Sequence, residues 1–338
     1  MTRLMDSCHR SIDYLRISIT DRCNLSCLYC TPANGIRWLP KDELLTYEEI
    51  TAIAKVAAEL GITKVRLTGG EPLMRTDLPE LVAGLAQMPT IKDIALTTNG
   101  ILLKQHAHQL KKSGLKRVNI SLDTLDRAKF QRITRHDRLN DVLLGIEAAK
   151  KAGLEPVKIN VVAMRGVNDD EILDFAKLTI NDGWHVRFIE LMPFVTDICL
   201  EGCAGEGSDR SQSQFIAVNE LKERLNSLGA LEPAAYMKGN GPAKYFRLPH
   251  ASGTIGFISP VSQHFCENCN RLRLTADGKL RLCLFSDDEI DLRTPLRAGI
   301  AAEKLREIII EAVKVKPIRH QLSQGAVPKK RSMSQVGG

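Results

Sequence analysis

The chain has 338 residues, a formal net charge of +7 and 43% hydrophobic residues, enough for one large α/β domain or two modest ones. No apolar run reaches the ~18 residues of a membrane span. The opening "MTRLMDSCHRSIDYLRISIT" carries no signal-peptide core, so a cytoplasmic, non-membrane protein is expected. Nine cysteines in such a chain point away from disulfides, because cytosolic thiols are kept reduced, and six of them fall in two triplets.

From residue 12 to about 192, strand and helix signals alternate. "YLRISIT" places Leu15, Ile17 and Ile19 on one face and Arg16, Ser18 and Thr20 on the other. Thr46 and Glu49 stand at capping-box spacing and open a helix over 46–60, with an apolar stripe of Ile50, Ile53, Ala54, Ala57 and Leu60. "TKVRLT", "KDIALTT", "KRVNISLD", "PVKINVV" and "HVRFIELM" follow as strands, with helices between them, the last helix over 170–182. Six βα units in series imply a parallel sheet. Strands buried on both faces would be continuously apolar, whereas these alternate. Six strands with a polar inner face suggest a wide, incomplete barrel whose lumen is a ligand site. Arg16, Lys64, Arg66, Lys158 and Arg187 point inward in that reading. A two-layer sheet with one face in water gives the same alternation and stays open.

After Met192 the pattern breaks into a Gly-, Ser- and acid-rich loop over 193–214, which contains Cys199 and Cys203. A short helix follows, with Val218, Leu221, Leu225 and Leu228 at helical spacing. Hairpins are expected around "AKYFRLPHASGTIGFISP" and "NRLRLTADGKLRLCLF", then a helical pair over roughly 291–315. The last twenty residues look disordered. The chain therefore divides into a core at 10–192, a C-terminal region at 193–320 and a flexible tail at 321–338.

Cys23, Cys27 and Cys30 form a C-x3-C-x2-C run just past the first strand, the end of an α/β barrel where chemistry is done. A structural zinc needs four protein ligands. Here Cys8 and His9 precede the strand and would lie at its other end. Three thiolates on a cubane-type cluster would leave one iron open. Cys266, Cys269 and Cys283 form a second triplet, C-x2-C-x13-C, across a hairpin. His264 could complete a zinc site there, so zinc and iron–sulfur both remain open at this triplet. Arg271 and Arg273 share one strand face beside it and read as an anion site, and no phosphate-binding P-loop motif occurs. Cys199 and Cys203 read as incidental exposed thiols.

The first triplet, with Tyr29 before its last cysteine and with Gly69-Gly70-Glu71-Pro72 after the second strand, resembles the radical S-adenosylmethionine (SAM) superfamily. Within it the chain is similar to the GTP 3′,8-cyclase family of molybdenum cofactor biosynthesis. That resemblance runs over "YLRISITDRCNLSCLYC", "RLTGGEPLMR", "LTTNG", "NISLDTLD", "NVVAMRGVNDDEI", "RFIELMPF", "ISPVSQHFCENCNRLRLTADGKL" and the final "MSQVGG". It implies a partial (β/α)6 barrel of TIM type, with a C-terminal extension carrying a second iron–sulfur cluster. The implied cofactors are two 4Fe-4S clusters, on the two cysteine triplets, and SAM. The implied reaction is a lyase step: reductive SAM cleavage, hydrogen abstraction from the ribose 3′ carbon of GTP, and attack on guanine carbon 8.

By position, the resemblance assigns Tyr29, Gly70, Glu71, Ser121 and Met192 to SAM. It assigns Arg16, Lys64, Arg66, Thr97, Lys158, Arg187, Arg271, Leu272 and Arg273 to GTP. Arg271, Arg273, Gly337 and Gly338 take catalytic parts, the last two in a tail that reaches the active site. It further implies a low-potential electron donor such as a flavodoxin or ferredoxin, and a product passed to cyclic pyranopterin monophosphate synthase. It allows a homodimer and involves no nucleic acid and no membrane. The residues after Pro193 depart from the family pattern. Two rivals remain: another two-cluster radical SAM enzyme acting on a peptide or RNA, and a zinc-stabilised nucleotide-binding protein.

Overall fold

The computed structural model describes residues 3–32, 35–194, 213–234, 241–322 and 327–337. Six strands, β1 (Tyr14–Ser18), β2 (Lys64–Thr68), β3 (Asp93–Thr98), β4 (Arg117–Ser121), β5 (Lys158–Ala163) and β6 (His185–Glu190), pair in parallel in chain order. Between them run α1 (Tyr47–Glu59), α2 (Leu78–Ala86), α3 (Leu103–Lys112), α4 (Arg127–Thr134), α5 (Leu139–Lys151) and α6 (Ile172–Asn181). The capping box predicted for α1 is present: Glu49 N–H donates to Thr46 Oγ1 at 3.2 Å, and Thr46 N–H donates to Glu49 Oε2 at 2.8 Å. Leu15, Ile17, Val65, Leu67, Val118 and Ile120, the apolar members of the alternating strands, are buried in one continuous core with the helices.

The C-terminal region completes this sheet at both ends. α7 (Val218–Leu225) and the short β7 (Glu232–Pro233) lead into β8 (Lys244–Arg247) and β9 (Thr254–Ile258), and β9 pairs in parallel with β6. β10 (Arg271–Leu274) pairs in parallel with β1, and β11 (Lys279–Arg281) and β12 (Ile290–Asp291) extend that edge antiparallel. The result is one twelve-stranded sheet, flanked at its C-terminal side by α8 (Arg293–Arg297) and α9 (Ala302–Lys314). Both predicted hairpins and the helical pair are therefore present.

The sheet curls. β10 and β6 stand six places apart in the strand order. In a flat sheet with ~4.8 Å between strands they would be roughly 29 Å apart. Yet Arg273 on β10 and Arg187 on β6 line one cavity. The polar strand face is thus the inner wall of a partial barrel, and the two-layer alternative falls away.

Among the described residues, no helix is long and apolar enough to cross a membrane. Cys199, Cys203 and most of the 193–214 loop lie outside the described residues. The expectation of a disordered C-terminus does not hold for 327–337, where Met333, Ser334 and Val336 are buried and residues 333–335 form a 3-10 turn.

Two glycines shape the mouth of the barrel. A Cβ on Gly70 would meet the Arg22 carbonyl oxygen at 2.2 Å, and one on Gly69 would meet that of Thr20 at 2.5 Å. The chain after β2 therefore lies directly on the segment that leads to the first cysteine. Gly70→Ala should push these backbones apart and lower stability by about 1–3 kcal/mol, the range for overpacking, measurable by chemical denaturation.

Candidate active site

The two cysteine loops hang from one pair of neighbouring strands. The first follows the C-terminal end of β1, and the second begins just before the N-terminal end of β10, which runs parallel to β1 with Arg16 opposite Arg273. β1 has five residues, so the loops are separated by roughly 15 Å of strand.

The first loop is braced on both sides. Gly70 N–H donates to Thr20 O at 2.8 Å, and Glu71 N–H donates to Arg22 O at 2.8 Å. From the other side Ser26 N–H and Leu28 N–H donate to Thr134 O and Ile133 O, at the end of α4. Burial pushes the Cys23 thiol up to about 11, and it pushes Cys27 and Cys30 well above the usual thiol range, with neighbouring thiols adding to the effect. Such thiols ionise only when bound by metal, as by the iron ions of a cluster.

The second loop is electropositive instead. Burial raises Cys266 and would raise Cys269, but the Arg271 and Lys316 cations outweigh it and bring Cys269 down to about 7. His264, the residue a zinc tetrahedron would need, is exposed and lies edge-on to His320, ring centroids 5.6 Å apart. Among the described residues, no three His, Cys, Asp or Glu side chains converge as on a single ion. Three thiols per loop without a fourth ligand fit clusters that each keep one iron open.

All six cysteines line one cavity of about 270 Å³ inside the barrel. Between the two triplets its wall is cationic. Arg273, Arg16 and Arg66 stand opposite one another across three adjacent strands, with Arg187 and Arg271 also in the lining, and the fully buried Arg281 stands behind them, opposite Arg273 in register. Like charges in register repel. Burial first, and Arg273 second, push Arg16 well below the usual guanidinium range. Burial and then Arg271 lower Arg273 to about 9. A wall held at this cost calls for a bound polyanion.

Most of the predicted contacts meet at this cavity. Arg16, Arg66, Thr97, Arg187, Arg271 and Arg273 line it, as do Tyr29, Gly70, Ser121 and Met192. Four do not. Lys64 sits at the start of β2 and pairs with Asp13 at 2.8 Å. Leu272 is 1% exposed on the core face of β10, as alternation requires between two inward arginines. Glu71 is fully buried, accepting from Thr98 Oγ1 at 2.7 Å, Asn99 N–H at 2.7 Å and Leu73 N–H at 3.0 Å, so its carboxylate holds the loop together and is not part of the lining. Lys158 is buried behind the lining, its ammonium 5.1 Å from the centre of the Tyr245 ring.

Other residues of the site escaped sequence reading. Asp123 accepts from Tyr29 O–H at 2.7 Å and from Val162 N–H at 2.8 Å, and burial lifts its carboxyl to about 6. Asn160 lines the cavity with a buried Oδ1 that has no hydrogen-bond partner among the described residues, and it stands opposite Arg187 in register. Both lie on the inward faces of β4 and β5 or just beyond them, so the alternation that turned Lys158 inward marks them too.

The tail enters the barrel. Arg16 Nη2 donates to Gly337 O at 2.9 Å, and Arg273 Nη1 donates to Gly337 O at 3.1 Å and Val336 O at 3.2 Å. Gly337 has φ +76°, and a Cβ there would meet Thr68 Cγ2 at 2.7 Å, so both conformation and space demand glycine. Gly338 lies outside the described residues. Six residues upstream, Arg331 donates to Asp277 at 2.8 Å and to Glu289 at 2.6 Å, and Glu289 also takes the fully buried Arg281. Removing one partner of a buried ion pair costs about 3–5 kcal/mol. Arg331→Ala should therefore raise amide exchange across 332–337 by about 100-fold or more, read by mass spectrometry.

Comparison with known proteins agrees with this geometry. Residues 17–179 match the radical SAM superfamily, and residues 184–322 match the family described as Molybdenum Cofactor Synthesis C. The GTP 3′,8-cyclase of Pelotomaculum thermopropionicum is 49% identical over 336 residues, covering 99% of this chain and 100% of that protein. Those of Moorella thermoacetica and Thermodesulfovibrio yellowstonii are each 50% identical with the same coverage. Among solved structures, Streptococcus suis SuiB shares the fold at 14% identity, with a TM-score of 0.58 over 91% of this chain and 66% of that one. Two cysteine triplets on one arginine-lined lumen and full-length identity near one half lead to the same place: the chain belongs to the GTP 3′,8-cyclase family of the radical SAM superfamily.

Proposed function

We propose that this chain converts GTP to (8S)-3′,8-cyclo-7,8-dihydroguanosine 5′-triphosphate, with SAM and two 4Fe-4S clusters as cofactors. The observation that carries the reading is the single cavity lined by both cysteine triplets, with the arginine row between them. Cys23, Cys27 and Cys30 would hold the cluster that binds SAM; Cys266, Cys269 and Cys283 would hold the cluster facing the guanine. When bound, the N-terminal cluster supplies the electron that cleaves SAM and starts radical chemistry on the substrate.

The chain's own residues bind, orient and shield. Tyr29, Gly70, Ser121 and Met192 border the first triplet and would seat SAM, with Asp123 fixing the Tyr29 hydroxyl. Arg16, Arg66, Thr97, Arg187, Arg271 and Arg273 would hold GTP between the clusters, where a triphosphate relieves their mutual repulsion. The Val336 and Gly337 carbonyls solvate Arg16 and Arg273 and would keep both guanidinium groups aimed into the lumen. Burial of the lumen would keep water from reactive intermediates. The low-potential donor, a flavodoxin or ferredoxin, and transfer of the product to cyclic pyranopterin monophosphate synthase belong to this proposal, as does a cytoplasmic location where the thiols stay reduced.

The test is anaerobic incubation of reconstituted protein with SAM, dithionite and GTP. GTP-dependent formation of 5′-deoxyadenosine with loss of GTP is expected, and its absence sinks the reading. Cys266→Ala should keep SAM cleavage and lose GTP turnover. Arg187→Ala removes a charge-assisted contact of about 1.5–3 kcal/mol, so GTP should bind ~10–100-fold more weakly.

A pH effect follows from Lys158. Burial first, then Arg187, Arg117 and Arg66, lower its ammonium to about 6, and Asp93 opposes them. A triphosphate against Arg66 and Arg187 raises that value, so above about pH 6 binding takes up a proton and affinity falls as pH rises. Calorimetry at about pH 8 in buffers of different ionisation heat should show the uptake, and Lys158→Met should abolish it.

A further inference from the structure

Two cations that no part of the proposed GTP or SAM contacts uses converge on the second cysteine loop. Lys316 follows α9 and is 3% exposed. Its ammonium donates to Arg271 O at 3.0 Å, two residues past Cys269, and to Leu282 O, the residue before Cys283. Its charge acts on both of those thiols. Arg10, just before β1, donates to Cys266 O at 2.8 Å, to Ile318 O at 2.9 Å and to Pro317 O at 2.7 Å, and Asp6 fixes it through Nε at 2.6 Å. Segment 316–318 thus ties together the backbone around all three cysteines. Arg10 reaches one arm, and Lys316 reaches the other two.

The two differ in what they do. Arg10 donates to backbone carbonyls and to Asp6, which answers its charge. Lys316 is buried among carbonyls and thiols, with another cation, Arg10, near enough to repel it. A lysine kept there against burial and repulsion needs a lasting negative partner. Three thiolates on a 4Fe-4S core supply one, since such a cluster is anionic and becomes more so on reduction.

We infer that Lys316 is a positioning residue of the C-terminal cluster, which sets the spacing of the Cys269 and Cys283 arms and lends the cluster one positive charge that eases its reduction. The inference rests on the two-cluster reading above. Loss of the charge should shift the midpoint potential of that cluster to more negative values and loosen it, because groups that orient metal ligands contribute about 10–100-fold to metal retention.

The experiment uses the full chain, reconstituted anaerobically, as wild type, Lys316→Met and Lys316→Arg. Redox titration is followed by electron paramagnetic resonance, with SAM added to mark the N-terminal cluster. Release of iron to a chelator is timed in parallel. The expected result is a more negative C-terminal midpoint and about 10-fold or faster iron release for Lys316→Met, with Lys316→Arg close to wild type. Loss of the C-terminal cluster in Lys316→Met alone supports the inference equally. An unchanged midpoint in Lys316→Met, or equal loss of the cluster in both variants, overturns it. Wild-type protein that holds no second cluster instead overturns the two-cluster reading, so the two failures are distinct.

Discussion

The parallel pairing of β10 with β1 is the constraint on which the site depends. It places a strand that begins at the second cysteine pair beside the strand that ends at the first triplet. The length of that strand pair sets the span between the two metal loops, roughly 15 Å, a distance that strand geometry alone fixes. It also brings Arg16 opposite Arg273, and through β2 and β11 it extends the row to Arg66 and Arg281. One register therefore determines where both clusters sit and what lies between them.

That register is electrostatically unfavourable without a ligand. Four guanidinium groups in one row, most of them buried, are tolerated because carbonyls and carboxylates answer part of their charge. Glu289 takes Arg281, Tyr14 O–H accepts from Arg66, and the Gly337 carbonyl takes Arg16 and Arg273. The tail is thus part of the charge balance of the lumen, and its anchor at Arg331 shares Glu289 with the row it serves. Fold stability thus draws on the same groups that line the lumen.

The two cysteine loops are tuned in opposite directions. The first is enclosed by the Gly-Gly-Glu-Pro turn and by α4, where burial, the neighbouring thiols and the Asp123 and Glu71 carboxylates raise its thiols. The second has Arg271 and Lys316 beside it, and Cys269 ionises far more readily than the thiols of the first. Such different surroundings suit two clusters of different potential.

The sequence alone was enough for the six parallel strands, the inward arginines and both metal triplets, because alternation and cysteine spacing are local properties that need no partner to be read. The alternation that turned Lys158 inward also puts Asp123 and Asn160 on the polar strand face, although it did not single them out. The sequence could not show that Lys64, Glu71, Leu272 and Lys158 stand off the cavity lining, since a residue type on the right strand or in the right motif does not tell which neighbour will claim it: Asp13, the Thr98–Asn99 turn, the apolar core and the Tyr245 ring, respectively. It also read the tail as disordered, because a Gly- and Ser-rich end carries no periodicity. Only the tertiary structure decided that the sheet curls, that β10 lies against β1, and that the tail enters the lumen. The last two depend on contacts between residues 257 and 321 positions apart, Arg16 with Arg273 and with Gly337, which no window of sequence contains.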